Sequence, residues 1–248
     1  MDISSSTDGT EVTDGSVGSV TPVAITRTRP PVLAVLSQKG GTGKTTLSCA
    51  IAALAERAGH RAVLLDVDPQ GSACNWHDLR QDAGLEHPDV LPAHANRLER
   101  LLDRMVPLGA TLCVIDTAPH SGGDAFTVAT LADHILIPVQ PSAPDLRAIH
   151  QTIRIAESAG TPASVVINRA IVNHPTIAQS RRVLADADVA ICPVTLHQRI
   201  AHSHAFNSGR CAAETEPGTK AARELVQLYD WLVSARALPQ ADDTEETA

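Results

Sequence analysis

Short runs of five or six almost wholly apolar residues recur along the chain, separated by longer stretches with helical periodicity. The runs occupy residues 32–36, 62–66, 112–116, 134–139 and 164–168. Because they do not alternate between apolar and polar residues, they are typical of strands buried on both faces of a sheet. Strands that alternate with helices indicate βαβ units. We therefore predict an α/β fold: a single doubly wound, mostly parallel twisted sheet with helices on both faces.

Three of the predicted strands end in a polar residue, namely Asp66, Asp116 and Asn168. In an open parallel sheet, ligands bind outside the carboxyl ends of the strands. We therefore expect these side chains to serve chemistry at that edge. The helix after the first strand should run from about Gly43 to Ala58, with Gly59 as a left-handed cap.

The two ends of the chain differ from its body in composition. Residues 1–29 are rich in Ser, Thr, Gly and Asp, with few large apolar side chains, and residues 239–248 are acidic. Neither segment offers enough apolar surface to offset the entropy of ordering, so we predict a disordered extension and a disordered tail. The folded domain should span residues 30–238. The ends contribute −6 of the net charge of −8, because they hold eight acids and two bases, and the body is nearly neutral.

Composition also bears on the compartment. The sequence has no uninterrupted apolar stretch of about 18 residues and no signal-peptide pattern at its start, so we expect a cytoplasmic protein that does not insert into a membrane. Its five cysteines have no paired spacing. They are best interpreted as small buried residues in a reducing compartment, not as disulfides or metal ligands.

A glycine-rich segment joins the first strand to the first helix, reading Q-K-G-G-T-G-K-T-T over residues 38–46. Glycines let successive backbone N–H groups surround phosphate oxygens, and the helix N-terminus adds partial positive charge. Lys44 can reach the β- and γ-phosphates, and the Thr45 hydroxyl can ligate Mg²⁺. A simple connecting turn is the alternative, but spacing and context together predict a phosphate loop. Its nucleotide-binding residues are Lys39, Gly40, Gly41, Thr42, Gly43, Lys44, Thr45 and Thr46.

Three carboxylates complete the predicted site. Asp66 and Asp68 follow the second strand, where acidic side chains are costly unless they face a cation or a reacting water. Asp116 fits the second acid of a phosphate-loop site, which holds Mg²⁺ through a water. The alternatives are a solvated turn for the first two residues and a helix cap for Asp116, which is compatible with metal binding.

The loop departs from the usual G-x-x-x-x-G-K-[ST] pattern, because Gln38 replaces the first glycine and Lys39 follows it. K-G-G-x-G-K-[ST] resembles the deviant phosphate loop of the ParA/MinD superfamily, which includes the nitrogenase iron protein and the arsenite-pump ATPase. The resemblance implies an ATPase that dimerises on ATP, with Lys39 reaching the partner's nucleotide; an ordinary surface lysine is the alternative. The D-x-D-P-Q-G run is similar too, and implies that Asp68 orients the attacking water while Asp66 supports the metal shell.

The resemblance covers residues 31–235 and is closest to small plasmid-type ParA proteins, on residues 193–201 and 218–225. It implies that Asn168 contacts adenine and that Pro193 lines the base. From the composition of the two ends we expect neither the N-terminal helix-turn-helix domain of larger ParA proteins nor the basic C-terminal helix of MinD. No N-K-x-D guanine motif is present, although the residues alone do not separate ATP from GTP.

For such proteins the resemblance implies plasmid or chromosome partition, with a ParB-like centromere-binding adaptor that stimulates hydrolysis of Mg²⁺-bound ATP and a nucleoid location. It also implies non-specific binding of double-stranded DNA. Candidate phosphate contacts are Arg181, Arg182, Arg199, Lys220 and Arg223. Residues 181–238 hold seven bases against six acids, so an ordinary mixed-charge surface is the alternative.

Three other functions stay open at this point. Related ATPases position chemotaxis clusters or carbon-fixing compartments. Dethiobiotin synthetase and cobyrinate amidase share the fold and use ATP to activate a carboxylate, but they lack the D-P-Q-G run and the additional lysine. A nucleotide sensor with little turnover would differ only in rate.

Overall fold

The structure is a computed structural model that describes residues 29–119 and 122–241. Of the predicted disordered extension, residues 1–29, all but residue 29 lie outside the described residues, and of the predicted acidic tail, residues 239–248, the part from 242 onwards lies outside them. At the C-terminal end the described chain continues to Ala241, three residues beyond the predicted domain boundary.

A parallel sheet of seven strands forms the centre of the described chain, in the order β3-β2-β4-β1-β5-β6-β7. The strands are β1 (Val32–Val35), β2 (Ala62–Asp66), β3 (Asp89–Pro92), β4 (Leu112–Asp116), β5 (His134–Val139), β6 (Ala163–Ala170) and β7 (Ala190–His197). The first strand is central, so the loop after it opens onto the middle of the carboxyl edge.

Helices cover both faces of this sheet. They are α1 (Lys44–Arg57), α2 (Ser72–Asp82), α3 (Leu98–Leu102), α4 (Gly122–Leu131), α5 (Ala143–Ala159), α6 (Thr176–Ala185), α7 (Ile200–Phe206), α8 (Ala212–Thr215) and α9 (Lys220–Ser234). One apolar core joins the sheet to α1, α2, α7, α8 and α9. A second core joins its other face to α3, α4, α5 and α6. The predicted doubly wound α/β fold is confirmed.

All five predicted strands are present within one or two residues of their expected bounds. The first helix begins at Lys44, and Gly59 has the predicted positive φ, +99°. The two strands at the sheet edges, β3 and β7, were not predicted. The first has four residues, one of them buried. The second carries Pro193 in its middle, which is tolerated because an edge strand has a side without ladder hydrogen bonds.

Within residues 29–119 and 122–241, the helices are too short or too polar to cross a bilayer. All five cysteines are described and have free thiols, and four of them are buried.

Candidate phosphate-binding site

The glycine-rich loop runs from the end of β1 into the first turn of α1. Gly41 and Gly43 have φ values of +77° and +90°, a backbone conformation that residues with a Cβ rarely adopt. A Cβ on Gly43 would also lie 2.4 Å from Asn168 Nδ2. Glycine is therefore required at position 43 for both its backbone conformation and the close approach of β6.

Side chains from the neighbouring strands hold the carbonyl groups of this loop. Gln140 Nε2 and Arg169 Nη1 each donate to Gly41 O at 2.8 Å, and Asn168 Nδ2 donates to Thr42 O at 2.7 Å. Arg169 adopts φ +54° to do so, a strained conformation for a residue with a Cβ. These bonds fix the curvature of the loop, which is what a phosphate cradle needs. Neither Gln140 nor Arg169 was predicted from the sequence.

Lys44 is buried at the start of α1, with 6% of the residue exposed. Its Nζ donates to Lys39 O at 3.4 Å. Burial lowers the pKa of Lys44, while the nearby carboxylates of Asp116 and Asp68 oppose that shift. The structure thus brings together Lys44 and two of the predicted acids, as the sequence indicated.

Asp116 lies at the end of β4, in register with Asp66 on β2. It is fully buried, and the Ser48 hydroxyl donates to its Oδ1 at 3.0 Å. Burial raises the pKa of Asp116 to about 7 and Asp66 adds to the shift, although the Thr45 and Ser48 hydroxyls and Lys44 oppose it. Oδ2 has no hydrogen-bond partner. A buried carboxylate oxygen without a partner, beside Thr45, is what a cation or its water shell would satisfy.

Asp66 has a structural role that was not predicted from the sequence. Its Oδ2 accepts hydrogen bonds from Ala73 N at 3.0 Å and Cys74 N at 3.1 Å, and its Oδ1 accepts from Asp68 N at 3.1 Å. The first two are N–H groups of the first turn of α2, which the side chain therefore caps. Its burial is thus accounted for without a cation, and the prediction that Asp66 supports the metal shell has no separate geometric support.

Asp68 is half-buried in the loop that connects β2 to α2. Its Oδ1 accepts from Gln70 N at 2.9 Å, and its O accepts from Gly71 N at 2.9 Å. The carboxylate therefore sits on a short, locally bonded turn whose charge reaches Lys44. This placement suits a group that orients a water near the phosphates; the catalytic assignment itself stays a prediction.

Lys39, the additional lysine, is paired within its own chain. Its Nζ lies 2.5 Å from Asp145 Oδ2, and 37% of the Lys39 side chain is exposed against 3% for Asp145. The Ser142 hydroxyl donates to the same carboxylate oxygen. Asp145 lies in the first turn of α5, 106 residues from Lys39, and nothing in the sequence singles it out.

A cavity of about 720 Å³ opens beside the loop. Its lining includes Gly43, Thr46, Asn168, Leu196 and Phe206. Its position and mixed lining suit a nucleoside next to a phosphate cradle. Asn168 lines this cavity, while its Nδ2 donates to Thr42 O and its Oδ1 accepts from Arg169 N; its contact with adenine stays a prediction.

Pro193, the other predicted base contact, does not belong to this cavity. It is exposed near the middle of β7 and lines a separate groove with Trp231 and Ser234. The expectation that Pro193 lines the base therefore has no support from this cavity, whose lining comes instead from the end of β7 and from α7.

The structure divides the basic residues that were predicted to contact DNA. Arg181 donates to Cys192 O and Pro193 O, and Arg199 pairs with Glu224 Oε1 at 2.5 Å. The remaining three, Arg182, Lys220 and Arg223, are exposed. However, Arg182 lies on α6 and the other two lie on α9, and these helices pack on opposite faces of the sheet. Within one chain they do not form a single patch.

These residues fit a magnesium nucleotide. Lys44, the constrained glycines and the adjoining cavity suit the nucleotide, while Thr45 and the unpartnered Asp116 oxygen suit the metal. The described residues contain no cluster of three or more His, Cys, Asp or Glu side chains that could bind a metal by itself. A metal here would therefore depend on phosphate oxygens and water for most of its ligands, which is typical of Mg²⁺.

Comparison with known proteins supports the same assignment. A family profile described as the CobQ/CobB/MinD/ParA nucleotide binding domain matches residues 33–209. The "Maintenance of carboxysome distribution protein A" of Gloeobacter kilaueensis is 38% identical over 143 residues, 56% of this chain and 63% of that protein. Its namesake from Halothiobacillus neapolitanus is 30% identical over 213 residues, covering 81% of this chain and 95% of that protein. The "Sporulation initiation inhibitor protein Soj" of Bacillus subtilis is 29% identical over 167 residues, 51% of this chain and 66% of that protein.

Solved structures show the same fold. The septum site-determining protein MinD of Pyrococcus horikoshii, complexed with Mg-ADP, superposes with a TM-score of 0.67 at 16% identity, over 84% of this chain and 97% of that one. A Cyanothece McdA variant in complex with ATP gives 0.64 at 19% identity, over 86% of this chain and 98% of that one. The profile covers more than half of the chain, and the loop geometry agrees with it. The chain therefore belongs to the CobQ/CobB/MinD/ParA nucleotide-binding domain family.

Proposed function

We propose that this chain is a magnesium-dependent ATPase that positions a cellular cargo, and that it works as an ATP-dependent homodimer. The observation that carries the proposal is the phosphate loop, in which Lys44 is buried at the start of α1 while Lys39 is more than a third exposed and pairs with Asp145. A buried Lys44 suits a contact with the nucleotide of its own chain, whereas a partly exposed Lys39 suits a contact with the nucleotide of a partner subunit. Two relatives named for carboxysome distribution favour a positioned compartment as the cargo.

The residues of this chain would divide the work as follows. Lys44 and the backbone of the loop bind the phosphates, Asp68 orients the attacking water, and Lys39 acts on the partner's nucleotide. Thr45 and Asp116 would hold Mg²⁺, which neutralises charge on the β- and γ-phosphates when bound. Catalysis by such a site comes mostly from positioning and charge neutralisation.

The enzymatic part is tested with two variants and two matched controls. We expect Lys44→Ala to abolish binding of a fluorescent ATP analogue, whereas Lys220→Ala, at an exposed lysine on α9, binds normally. We expect Asp68→Ala to bind ATP and stay dimeric, with phosphate release reduced at least about tenfold, which is roughly 1.4 kcal/mol in the barrier. Asp78→Ala, at an exposed acid on α2, is its control. Wild-type turnover by Asp68→Ala would refute the role given to that residue.

Partition of DNA is the second candidate function, supported by Soj and by the Myxococcus xanthus chromosome partitioning protein ParA, which is 31% identical over 146 residues. Deleting the gene from its source organism separates the two. Irregular spacing of an intracellular compartment, with normal inheritance of plasmid and chromosome, supports the positioning proposal. Loss of DNA with normal compartment spacing supports partition. ATPase rates with and without duplex DNA, measured across salt concentrations, show whether a phosphate-contacting surface takes part in either.

A further inference from the structure

The Lys39–Asp145 ion pair ties the lysine assigned to the dimer contact to its own chain. We infer that Asp145 is a latch, which holds Lys39 in the separate subunit and must release it before two subunits close on ATP. This inference rests on the proposed function, since it concerns the contact that Lys39 makes across the dimer.

The carboxylate is built to hold a cation. Only 3% of the Asp145 side chain is exposed, and its Oδ2 also accepts from the Ser142 hydroxyl. Its Oδ1 has no hydrogen-bond partner. The adjoining cavity, lined in part by Lys39 and Asp145, measures about 10 Å³, room for about one water molecule. If Lys39 leaves, the Asp145 carboxylate keeps the Ser142 hydroxyl as a donor and gains room for about one water, so release removes part of its compensation.

The lysine, in contrast, is free to leave. It belongs to the loop before α1, more than a third of its side chain is exposed, and Asp145 is the partner that its ammonium group contacts in the described structure. Gln38, the residue before Lys39, has its own contact with α5: its backbone N donates to Thr152 Oγ1 at 3.3 Å. This bond keeps Gln38 against α5 when the Lys39 side chain moves. The side chain can therefore exchange partners without moving the loop.

Dimerisation requires the Lys39–Asp145 pair to break in both subunits, so the free-energy cost of breaking it enters twice. Partly exposed ion pairs contribute up to about fivefold in an equilibrium constant, and the exposure of Lys39 keeps this pair within that range. Two pairs then oppose dimerisation by up to about 25-fold. The latch thus makes dimerisation depend on ATP, because the phosphates bound by the partner subunit must replace Asp145 as the contact of Lys39.

The latch itself can be tested without nucleotide. The chain has three lysines, Lys39, Lys44 and Lys220, so their acylation by an amine-reactive reagent can be followed separately by mass spectrometry. We expect Lys39 to react several times more slowly than exposed Lys220, and Asp145→Asn to raise the Lys39 rate at least about threefold without changing Lys220. In the wild type, 1 M salt should raise the Lys39 rate in the same direction. Equal rates for Lys39 in wild type and variant would overturn the latch.

The consequence for assembly is tested by sedimentation with a slowly hydrolysed ATP analogue. We expect Asp145→Asn to lower the dimer dissociation constant by about 5- to 25-fold, while Ser142→Ala, which loosens the same turn of α5 but keeps the pair, changes it less than threefold. An unchanged or weaker Asp145→Asn dimer would overturn the inhibitory role. Lys39→Ala separates the two claims: if it dimerises like wild type, the proposed role of Lys39 across the dimer is wrong, whereas the acylation rates still decide whether the latch exists.

Discussion

The ion pair between Arg80 and Glu214 gives the sharpest test of how the fold is held together. Arg80 lies on α2, immediately downstream of the loop that carries Asp68, and Glu214 lies on α8. Arg80 Nη2 donates to Glu214 Oε1 at 2.8 Å and Nη1 to Oε2 at 3.1 Å, with 5% and 13% of the two side chains exposed. Glu214 Oε2 also accepts from Cys211 N at 2.8 Å. Truncating Glu214 to alanine removes all three acceptor contacts.

The expected cost follows from what remains. Arg80 stays buried, with Gly209 O at 2.9 Å and His87 O at 2.5 Å as acceptors and the Trp76 ring 5.1 Å away, but without a counter-charge. Removing one partner of a buried pair costs about 3–5 kcal/mol, because the other charge is left without compensation. For a domain of this size each kcal/mol lowers the melting temperature by about 2–4 °C, so we expect Glu214→Ala to melt roughly 6–20 °C below wild type. Thermal unfolding followed by circular dichroism measures this directly.

A matched control lies in the same fold. Arg61 and Asp89 form an ion pair at 3.1 Å whose side chains are 46% and 41% exposed, so Asp89→Ala should cost less than about 1 kcal/mol. Burial also pushes the pKa of Glu214 upwards, but its bonds to Arg80 and to Cys211 N outweigh that effect and leave the pKa below its ordinary value. If Glu214→Ala and Asp89→Ala melt within about two degrees of each other, the buried pair does not stabilise the fold as argued.

Three further predictions concern the pH dependence of stability, a helix cap and the phosphate loop. Burial lowers the pKa of His134 from 6.5 to about 4, so between these values the unfolded chain binds a proton that the folded chain does not. The free energy of unfolding should therefore fall by about 2 kcal/mol between pH 7.5 and pH 5 in urea titrations, and His134→Gln should lack that part of the loss. Asp66→Ala leaves three backbone N–H groups without their acceptor, and we expect about 2–3 kcal/mol of destabilisation; an unchanged melting temperature would contradict the cap. Gly43→Ala should weaken binding of an ATP analogue about tenfold more than Gly41→Ala, because both positions have positive φ but an added Cβ meets Asn168 at Gly43 alone of the two.

The central strands were predictable because each is apolar over its whole length, a pattern that burial on both faces imposes. An edge strand has one neighbour and less burial, so β3 and β7 carry no such pattern. The phosphate loop was predictable because its glycines, lysine and threonines are contiguous. Residues that are contiguous in sequence form one continuous loop in the fold, so the motif alone indicates the shape of the loop.

The partners of that loop were not predictable, because the fold brings them from distant positions. Gln140, Arg169 and Asp145 lie about 100 residues or more from the loop residues they contact. Nothing in their local sequence distinguishes them from ordinary polar residues near strand and helix ends. Asp66 was understood only in part: its metal role stays a prediction, whereas its hydrogen bonds to backbone N–H groups of α2 could not be predicted from its position after a buried strand.

The two lysines of the loop have the same side chain but lie in different environments. Lys44 lies at the start of α1 with 6% of the residue exposed, and the charges of Asp116 and Asp68 both favour its protonated form, so moving it away would remove compensation from two acids. Lys39 precedes the helix, has more than a third of its side chain exposed and forms an ion pair with one carboxylate, that of Asp145. Exchange of partners is therefore far less costly for Lys39 than for Lys44. On these grounds Lys44 is suited to hold the nucleotide of its own chain, and Lys39 is suited to respond when a second chain presents another one.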